Sequence, residues 1–281
     1  MVKTVNDNFS VSQICRSGQC FRMDELEGGK EGAAGLVAYG KYLELSQTGN
    51  EICFDCTQEE YDGIWKSYFD METDYASIIG RIDAKDEYLT AAAAFGSGIR
   101  ILRQDLWETI ISFIISQQNN IKRIKKCIRL LCERYGERRV AKNGCVYYAF
   151  PTPEELAKAS IEDLYACNLG YRSRYIHETA NAVYRRDISL EQLRTPDYEE
   201  ARKELLRLCG VGAKVADCIC LFALHKTEAF PKDTHINKVL ASRYPGGFPF
   251  DRYADCSGIL QQYIFFYDLN RTNFVGSANL E

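Results

Sequence analysis

The clearest chemical signal in the sequence is a lysine just after a glycine-rich turn. Lys214 follows Gly210-Val211-Gly212, where one apolar helical pattern stops and a second begins. Glycines allow a tight turn and a close approach of the backbone to another molecule, and Val211 is expected to be buried between the helices. The second helix would present its unpaired first-turn N–H groups outward, as an anion site that suits a DNA phosphate. A purely structural turn is the alternative.

The position of Lys214 also suits nucleophilic chemistry. In the first turn of a helix, the positive end of the helix dipole disfavours a charged ammonium. A neutral amine at a turn that binds DNA is a nucleophile that could form a Schiff base with a sugar aldehyde. The alternative role for this side chain is a contact with a phosphate.

A carboxylate follows in the segment Pro231-Lys232-Asp233-Thr234-His235. Asp233 stands just before an apolar helical pattern, so we predict that it is a helix N-cap. A catalytic role is compatible with the cap, because a carboxylate fixed by backbone N–H groups is rigid and stays ionised. Such an anion can stabilise the oxocarbenium charge that develops when a glycosidic bond breaks. For His235 a structural role is favoured over a contact with a ligand.

The residues before this region have a β-rich pattern. Short apolar or alternating runs at 36–39, 41–46 and 52–54, separated by glycine-containing turns, predict a meander of hairpins. Short helices are predicted at 59–68 and 75–80.

From about residue 105 the pattern is helical. Asp105 is predicted to cap a helix that the polar run Gln117 to Asn120 interrupts, and a later apolar helix is predicted to run to Leu208. We therefore predict an α+β fold, with an antiparallel β domain at residues 1–100 and a mainly α-helical domain at residues 101–281.

The net charge of −4 conceals an asymmetry along the chain. Residues 1–90 carry 8 Lys and Arg against 17 Asp and Glu, whereas the remaining residues carry 27 against 22, a net charge of +5. The basic part could bind nucleic acid if its positive charge gathers on one face. With 46% hydrophobic and 26% charged residues, the composition is that of a globular protein and excludes a disordered chain.

No membrane, targeting or cofactor signal is evident. Apolar runs such as 110–115 are too short to cross a bilayer, and the N-terminus lacks the apolar core of a signal peptide. We expect an intracellular protein, in the cytoplasm or nucleoid if the source is bacterial, whose twelve cysteines are thiols. Cys53 and Cys56 have the spacing of half a zinc site, but no second pair follows, so no metal and no other cofactor is predicted.

The hairpin, its lysine and the following Pro-x-Asp-x-His segment resemble the helix-hairpin-helix DNA glycosylases, and most of all the 8-oxoguanine DNA glycosylases with lyase activity. Residues 210–221 match the hairpin of that family nearly residue for residue. Further similar blocks occur in the family's order at residues 18–22, 102–105, 119–124 and 169–175. The resemblance implies an N-terminal sheet similar to half of the TATA-binding protein, then two helical modules that flank the active site, with the hairpin at residues 205–222.

The resemblance also implies roles for individual residues. Lys214 would attack C1′ of a flipped nucleotide, and Asp233 would stabilise the developing charge. The carbonyl of Gly18 would accept the N7 hydrogen that distinguishes 8-oxoguanine from guanine, and Gln261 would bind the Watson–Crick edge. The side chains implied to enclose the base are Cys218, Phe265 and Phe222. The residues implied to contact DNA are Gln118, Asn119, Asn120, Arg123, Tyr171, Arg172, Gly210, Val211, Gly212 and His235.

On the side of the opposite base, Arg123 and Arg172 would read the orphaned cytosine while Tyr171 would wedge into the base stack. Phosphate contacts are the alternative for the two arginines, and core packing is the alternative for the tyrosine. The chain departs from the eukaryotic members at two of these positions. Gln118 stands in place of an asparagine, which bears on how strongly cytosine is discriminated, and Phe222 stands in place of a methionine.

The function implied by the resemblance is that of a bifunctional DNA glycosylase and AP lyase. Such an enzyme excises 8-oxoguanine and related oxidised purines from duplex DNA, opposite cytosine, and acts as a monomer. The alternatives are a glycosylase of the same fold for another damaged base and a non-catalytic DNA-binding module. The monofunctional relatives for alkylated bases lack the hairpin lysine, and a mere binding module would not need Lys214, Asp233 and the residues of a base pocket together.

Overall fold

The N-terminal part of the chain forms a five-stranded antiparallel sheet. The computed structural model describes residues 1–26, 32–194 and 197–277, with side chains as far as residue 270. The strands are β1 (Val2–Val5), β2 (Met23–Glu25), β3 (Ala33–Ala38), β4 (Lys41–Thr48) and β5 (Glu51–Phe54). They lie in the order β1-β5-β4-β3-β2, and every neighbouring pair is antiparallel. The predicted antiparallel sheet is confirmed.

The central hairpin of the sheet follows from its turn residues. Tyr39 and Gly40 connect β3 to β4 with φ angles of 50° and 68°, the left-handed backbone that two-residue hairpin turns require. This turn places Leu36 opposite Leu43, and both side chains are buried. The three strands predicted from the sequence are β3, β4 and β5. The edge strands β1 and β2 were not predicted, because they are short and lack the alternation of a buried apolar face.

Helices predominate in the rest of the chain. Up to residue 100 they are α1 (Val11–Arg16), α2 (Gln58–Glu60), α3 (Lys66–Tyr68), α4 (Tyr75–Gly80) and α5 (Glu87–Phe95), with a π-helical segment Tyr61–Trp65 that joins α2 to α3. Beyond residue 100 they are α6 (Leu106–Ser116), α7 (Ile121–Tyr135), α8 (Pro153–Lys158), α9 (Ile161–Tyr165), α10 (Arg172–Tyr184), α11 (Tyr198–Leu205), α12 (Ala213–Phe222), α13 (Thr234–Arg243) and α14 (Ser257–Ser277). Two 3₁₀ helices lie at Gln192–Arg194 and Phe250–Tyr253, and β6 (Arg138–Val140) pairs with β7 (Val146–Tyr148).

Local signals account for where these helices begin. Asp105 caps α6 by accepting a hydrogen bond from the backbone N–H of Glu108 at 2.9 Å, as predicted. The helix predicted to reach Leu208 ends at Leu205 instead. The backbone N–H groups of Arg207 and Leu208 bond three residues back, and these tighter turns end α11 before the glycines.

The buried hydrophobic side chains form two clusters. The first lies under the sheet and includes Phe54, Trp65 and Leu102. The second fills the helical part and also takes in Tyr75 of α4 and Leu89 of α5. The domain boundary at residue 100 stays a prediction, since α4 and α5 precede it yet pack in the helical core. Residues 278–281 of the predicted helical domain lie outside the described residues.

Candidate active site and nucleic-acid interface

The turn between α11 and α12 forms the predicted hairpin. Gly210 has a φ of +79°, the left-handed backbone that favours glycine. Val211 is buried as expected, and Gly212 precedes α12 without a side chain to cap it. The first N–H groups of α12 are therefore left for a ligand, which is the geometry of an anion site.

The two glycines of the turn differ in what they tolerate, which leads to a first prediction. A Cβ on Gly210 would lie 2.6 Å from the ring of Tyr175, whereas a Cβ on Gly212 would meet nothing within 4 Å. We expect Gly210→Ala to lower the free energy of unfolding by about 1 to 3 kcal/mol, because strain in the left-handed region adds to the clash. Urea unfolding of both variants checks this, with Gly212→Ala as the control of nearly wild-type stability. Equal stability of the two variants would contradict it.

Lys214 extends from the first turn of α12 into an open cleft. The cleft has a volume of about 690 Å³ and is bordered by the hairpin, by the start of α13 and by the loop between α6 and α7. The side chain is half-buried, and its Nζ lies 5.4 Å from the centre of the Phe113 ring. One end of the cleft thus presents an amine beside an aromatic face.

Asp233 lines the same cleft and caps α13. Its Oδ1 accepts a hydrogen bond from the backbone N–H of Ile236 at 2.8 Å, so the predicted cap is confirmed. The cap uses one carboxylate oxygen and fixes the orientation of the group. A nucleophile and a fixed carboxylate on one cleft can support the cleavage of a bond to a sugar carbon.

Gly18, Phe265 and His235 also line the cleft. Gly18 has a φ of +78°, and a Cβ at this position would lie 3.5 Å from the Phe265 ring. The imidazole of His235 is exposed, with its Nδ1 3.7 Å from the carboxylate of Asp268. These groups form the wall of the cleft beyond Asp233.

Three residues predicted to recognise the base lie behind this wall. Gln261, Cys218 and Phe222 are buried and do not border the open cleft. Nε2 of Gln261 donates to the carbonyl of Pro231 at 3.0 Å, while its buried Oε1 has no partner among the described residues. Burial raises the pKa of the Cys218 thiol, and the neighbouring Lys214 side chain counteracts part of that rise.

Phe113 lies between the cleft and this buried group. Its ring stacks on that of Phe222 at a centroid distance of 5.6 Å and an interplanar angle of 13°. This position beside the cleft could not be predicted, because Phe113 belongs to the continuous apolar run of α6 and is typical of a core residue there.

The loop from Gln117 to Asn120 forms the opposite border of the cleft. Gln118 is exposed with a φ of +46°, an uncommon backbone for a residue other than glycine. Asn120 caps α7 by accepting from the N–H of Arg123 at 2.9 Å, and Asn119 donates to the carbonyl of Ile115 at 3.1 Å. The backbone of this loop is therefore fixed, while the side chain of Gln118 points into solvent.

The two predicted arginines have different surroundings. Arg123 is exposed at the start of α7, where it can reach a ligand. Arg172 is only 4% exposed, and its guanidinium donates to the carbonyls of Gln117 and Gln118 and lies 4.5 Å from the ring centre of Tyr171. In this structure Arg172 therefore supports the loop from Gln117 to Asn120. The Tyr171 ring is half-exposed, as a wedge requires.

The described residues show no cluster of metal ligands, no disulfide and no helix that could span a membrane. Across residues 1–26, 32–194 and 197–277, no three His, Cys, Asp or Glu side chains lie together as metal ligands. All twelve cysteines are free thiols. None of the helices that the structure describes has the length and apolar character of a membrane span.

Comparison with known proteins agrees with this geometry. Residues 1–110 match the family described as 8-oxoguanine DNA glycosylase, N-terminal domain, and residues 111–245 match the HhH-GPD superfamily of base excision DNA repair proteins. The fold and the hairpin site thus define a helix-hairpin-helix protein of the base excision repair class. Within that class, the chain belongs to the 8-oxoguanine DNA glycosylase family.

Individual relatives show how far the similarity extends. The 8-oxoguanine glycosylase/lyase of Clostridium acetobutylicum, solved with double-stranded DNA containing cytosine opposite 8-oxoguanine, is 36% identical over 95% of this chain and 93% of its own, with a TM-score of 0.87. The yeast (Saccharomyces cerevisiae) N-glycosylase/DNA lyase is 40% identical over 158 residues, which are 52% of this chain and 42% of that protein. This chain therefore matches less than half of the yeast protein's length. The 3-methyladenine DNA-glycosylase of Archaeoglobus fulgidus, 20% identical with a TM-score of 0.75 over 96% of this chain and 99% of its own, shares the fold.

Proposed function

We propose that the protein is a DNA glycosylase and AP lyase that removes 8-oxoguanine, and related oxidised purines, from duplex DNA. The main support for this proposal is that Lys214 and Asp233 line the same cleft, at the start of α12 in the hairpin. The relatives named N-glycosylase/DNA lyase and the 8-oxoguanine glycosylase/lyase of Clostridium acetobutylicum support the same activity.

In the proposed reaction, the duplex binds at the turn of Gly210 to Gly212 and the damaged nucleotide flips into the cleft, at the cost of unstacking. The Lys214 amine attacks C1′, and the bond between C1′ and the base breaks, so the base leaves with the bonding electrons and takes up a proton. The Asp233 carboxylate stabilises the positive charge that develops on the sugar.

Strand cleavage follows from the same covalent intermediate. Opening of the sugar ring leaves an iminium between Lys214 and C1′, which makes the proton on C2′ acidic. Loss of that proton expels the 3′ phosphate by β-elimination, and water then releases the unsaturated aldehyde from the lysine. Neither base release nor strand cleavage requires a metal or cofactor in this reaction.

We also propose that the partner is duplex DNA with cytosine opposite the lesion. Support comes from the exposed Arg123 and the half-exposed Tyr171 beside the loop of Gln118 to Asn120. The DNA in the Clostridium acetobutylicum complex contains cytosine opposite 8-oxoguanine. Reading of cytosine by Arg172 requires its guanidinium to leave the carbonyls of Gln117 and Gln118. Action as a monomer and an intracellular location stay predictions.

Borohydride trapping tests the proposed activity directly. Borohydride reduces an iminium to a stable amine, so a covalent adduct with a duplex containing 8-oxoguanine is expected for a lyase that acts through Lys214. Base release without an adduct would indicate a monofunctional glycosylase, and binding without either would indicate a non-catalytic module. Each of these outcomes would contradict the proposal.

A further prediction concerns how the lesion is distinguished from guanine. N7 donates a hydrogen bond in 8-oxoguanine and accepts one in guanine, so the Gly18 carbonyl would face another acceptor if guanine entered the site. Unpaired buried polar groups are costly, and sites built on one such bond discriminate by roughly four orders of magnitude. We expect a 7-deazaguanine duplex, which presents C–H at this position, to bind better than the matched guanine duplex. Equal affinities would show that Gly18 does not read N7.

A further inference from the structure

One face of α7 carries positive charge that the catalytic cleft does not use. Of the fifteen side chains of Ile121–Tyr135, six are basic and one is acidic. Ile124, Ile128 and Leu131 are buried on one side of the helix. Lys122, Lys126 and Arg129 are exposed on the other side, at the spacings of four and three residues that place them on one face. We call these three side chains the α7 basic face.

Ion pairs compensate only part of the charge of this helix. Lys125, next to the basic face, pairs with Asp24 at 2.6 Å. Arg129 lies 3.8 Å from Glu133 and remains 67% exposed, which makes the pair weak. Lys122 and Lys126 have no ion pair with any acidic residue of the described chain. Two cations of the face are therefore available to an anionic ligand.

The α7 basic face borders a groove next to the catalytic cleft. The groove has a volume of about 550 Å³ and lies between α7 and β7, whose Tyr147 and Tyr148 form its other wall. Phe21 borders both the groove and the cleft that holds Lys214. A ligand that fills the cleft and continues past the N-terminus of α7 would thus pass beside the basic face.

We propose that the α7 basic face binds backbone phosphates of the duplex that flanks the damaged pair. This inference rests on the proposed function as far as DNA binding is concerned. Lys122 to Arg129 span about 10 Å of helix axis, and duplex DNA carries one negative charge per about 1.7 Å of its own axis. The same helix begins with Asn120 and Arg123, the proposed contacts to the opposite strand, so the face continues an interface with the same ligand.

Replacing the three cations with glutamine tests the proposal, since glutamine removes the charge but keeps a polar side chain of similar helix propensity. For Lys122→Gln/Lys126→Gln/Arg129→Gln, we expect binding to a long duplex to weaken by at least about tenfold at about 0.1 M salt. The slope of log K against log salt concentration should fall by about 2 to 3, because each phosphate contact contributes about 0.9. The control is Lys66→Gln/Lys85→Gln/Lys158→Gln, which removes the same charge elsewhere and should leave the slope nearly unchanged.

Neutral methylphosphonates, placed one at a time in the duplex, locate the contacts. Wild-type protein should lose affinity at two or three positions outside the damaged pair, and the basic-face variant should lose nothing further at those positions. A slope equal to that of wild type, or the same fall in the control, would overturn the proposal. The salt dependence can be measured on undamaged duplex, so a failure of borohydride trapping would refute the catalytic proposal without changing that result.

Discussion

Lys214→Gln is expected to abolish base release and covalent trapping while binding to damaged duplex persists. The amide of glutamine has nearly the length of the lysine side chain but no nucleophilic lone pair, so attack on C1′ cannot occur. The cleft and the hairpin turn remain, because Lys214 makes no ion pair that holds the helices together in the described chain. Single-turnover excision of 8-oxoguanine and borohydride trapping measure the two losses, and a gel-shift titration measures the binding that remains.

Lys232→Gln is the matched control for this change. Lys232 also borders the cleft, but it is exposed and its Nζ lies 5.1 Å from the centre of the Phe250 ring. Its replacement removes the same charge from the same cleft and should leave trapping in place. If Lys214→Gln kept more than a few per cent of the wild-type excision rate, Lys214 would not be the nucleophile.

Asp233→Asn is expected to lower the excision rate by roughly two or more orders of magnitude with little change in thermal stability. Asparagine caps helices as well as aspartate does, so its Oδ1 can still accept from the N–H of Ile236. The negative charge that stabilises the sugar cation is lost. Single-turnover rates and thermal unfolding of the same preparations separate the two roles of the side chain.

Two comparison variants make this test specific. Asp233→Ala removes both the cap and the charge, so it should lose about 1 kcal/mol of stability in addition to the activity. Asp105→Asn changes the charge of another helix cap, at α6, and should leave the excision rate near that of wild type. If Asp233→Asn instead unfolded the protein while the folded fraction stayed active, the residue would be purely structural.

The sequence was most informative where structure is local. Asp233 and Asp105 could be predicted as caps because an N-cap depends on the residue type and on the three residues that follow. The hairpin turn was predicted for the same reason, since the left-handed backbone of Gly210 is a property of that position. The resemblance to a known family then supplied roles for residues far apart in the chain.

Positions that depend on distant packing could not be predicted. The buried place of Arg172 is set by carbonyls more than fifty residues earlier in the chain. Phe113 borders the cleft only because α6 packs against α12, and nothing in its own helix distinguishes it from a core residue. Gln261 likewise lies away from the open cleft, where its Nε2 donates a hydrogen bond to the carbonyl of the sequence-distant Pro231.

Hydrogen bonds of Gln117 connect two parts of the site. Its backbone carbonyl accepts from Arg172, and its Nε2 donates to the carbonyl of Gly210 at 2.8 Å. A displacement of this loop, which we propose faces the opposite base, would therefore be transmitted to the turn that precedes Lys214. Misplacing a reacting group by about 1 Å can cost about a hundredfold in rate. If the protein acts as proposed, a wrong base opposite the lesion should therefore lower the excision rate more than it lowers the affinity for DNA.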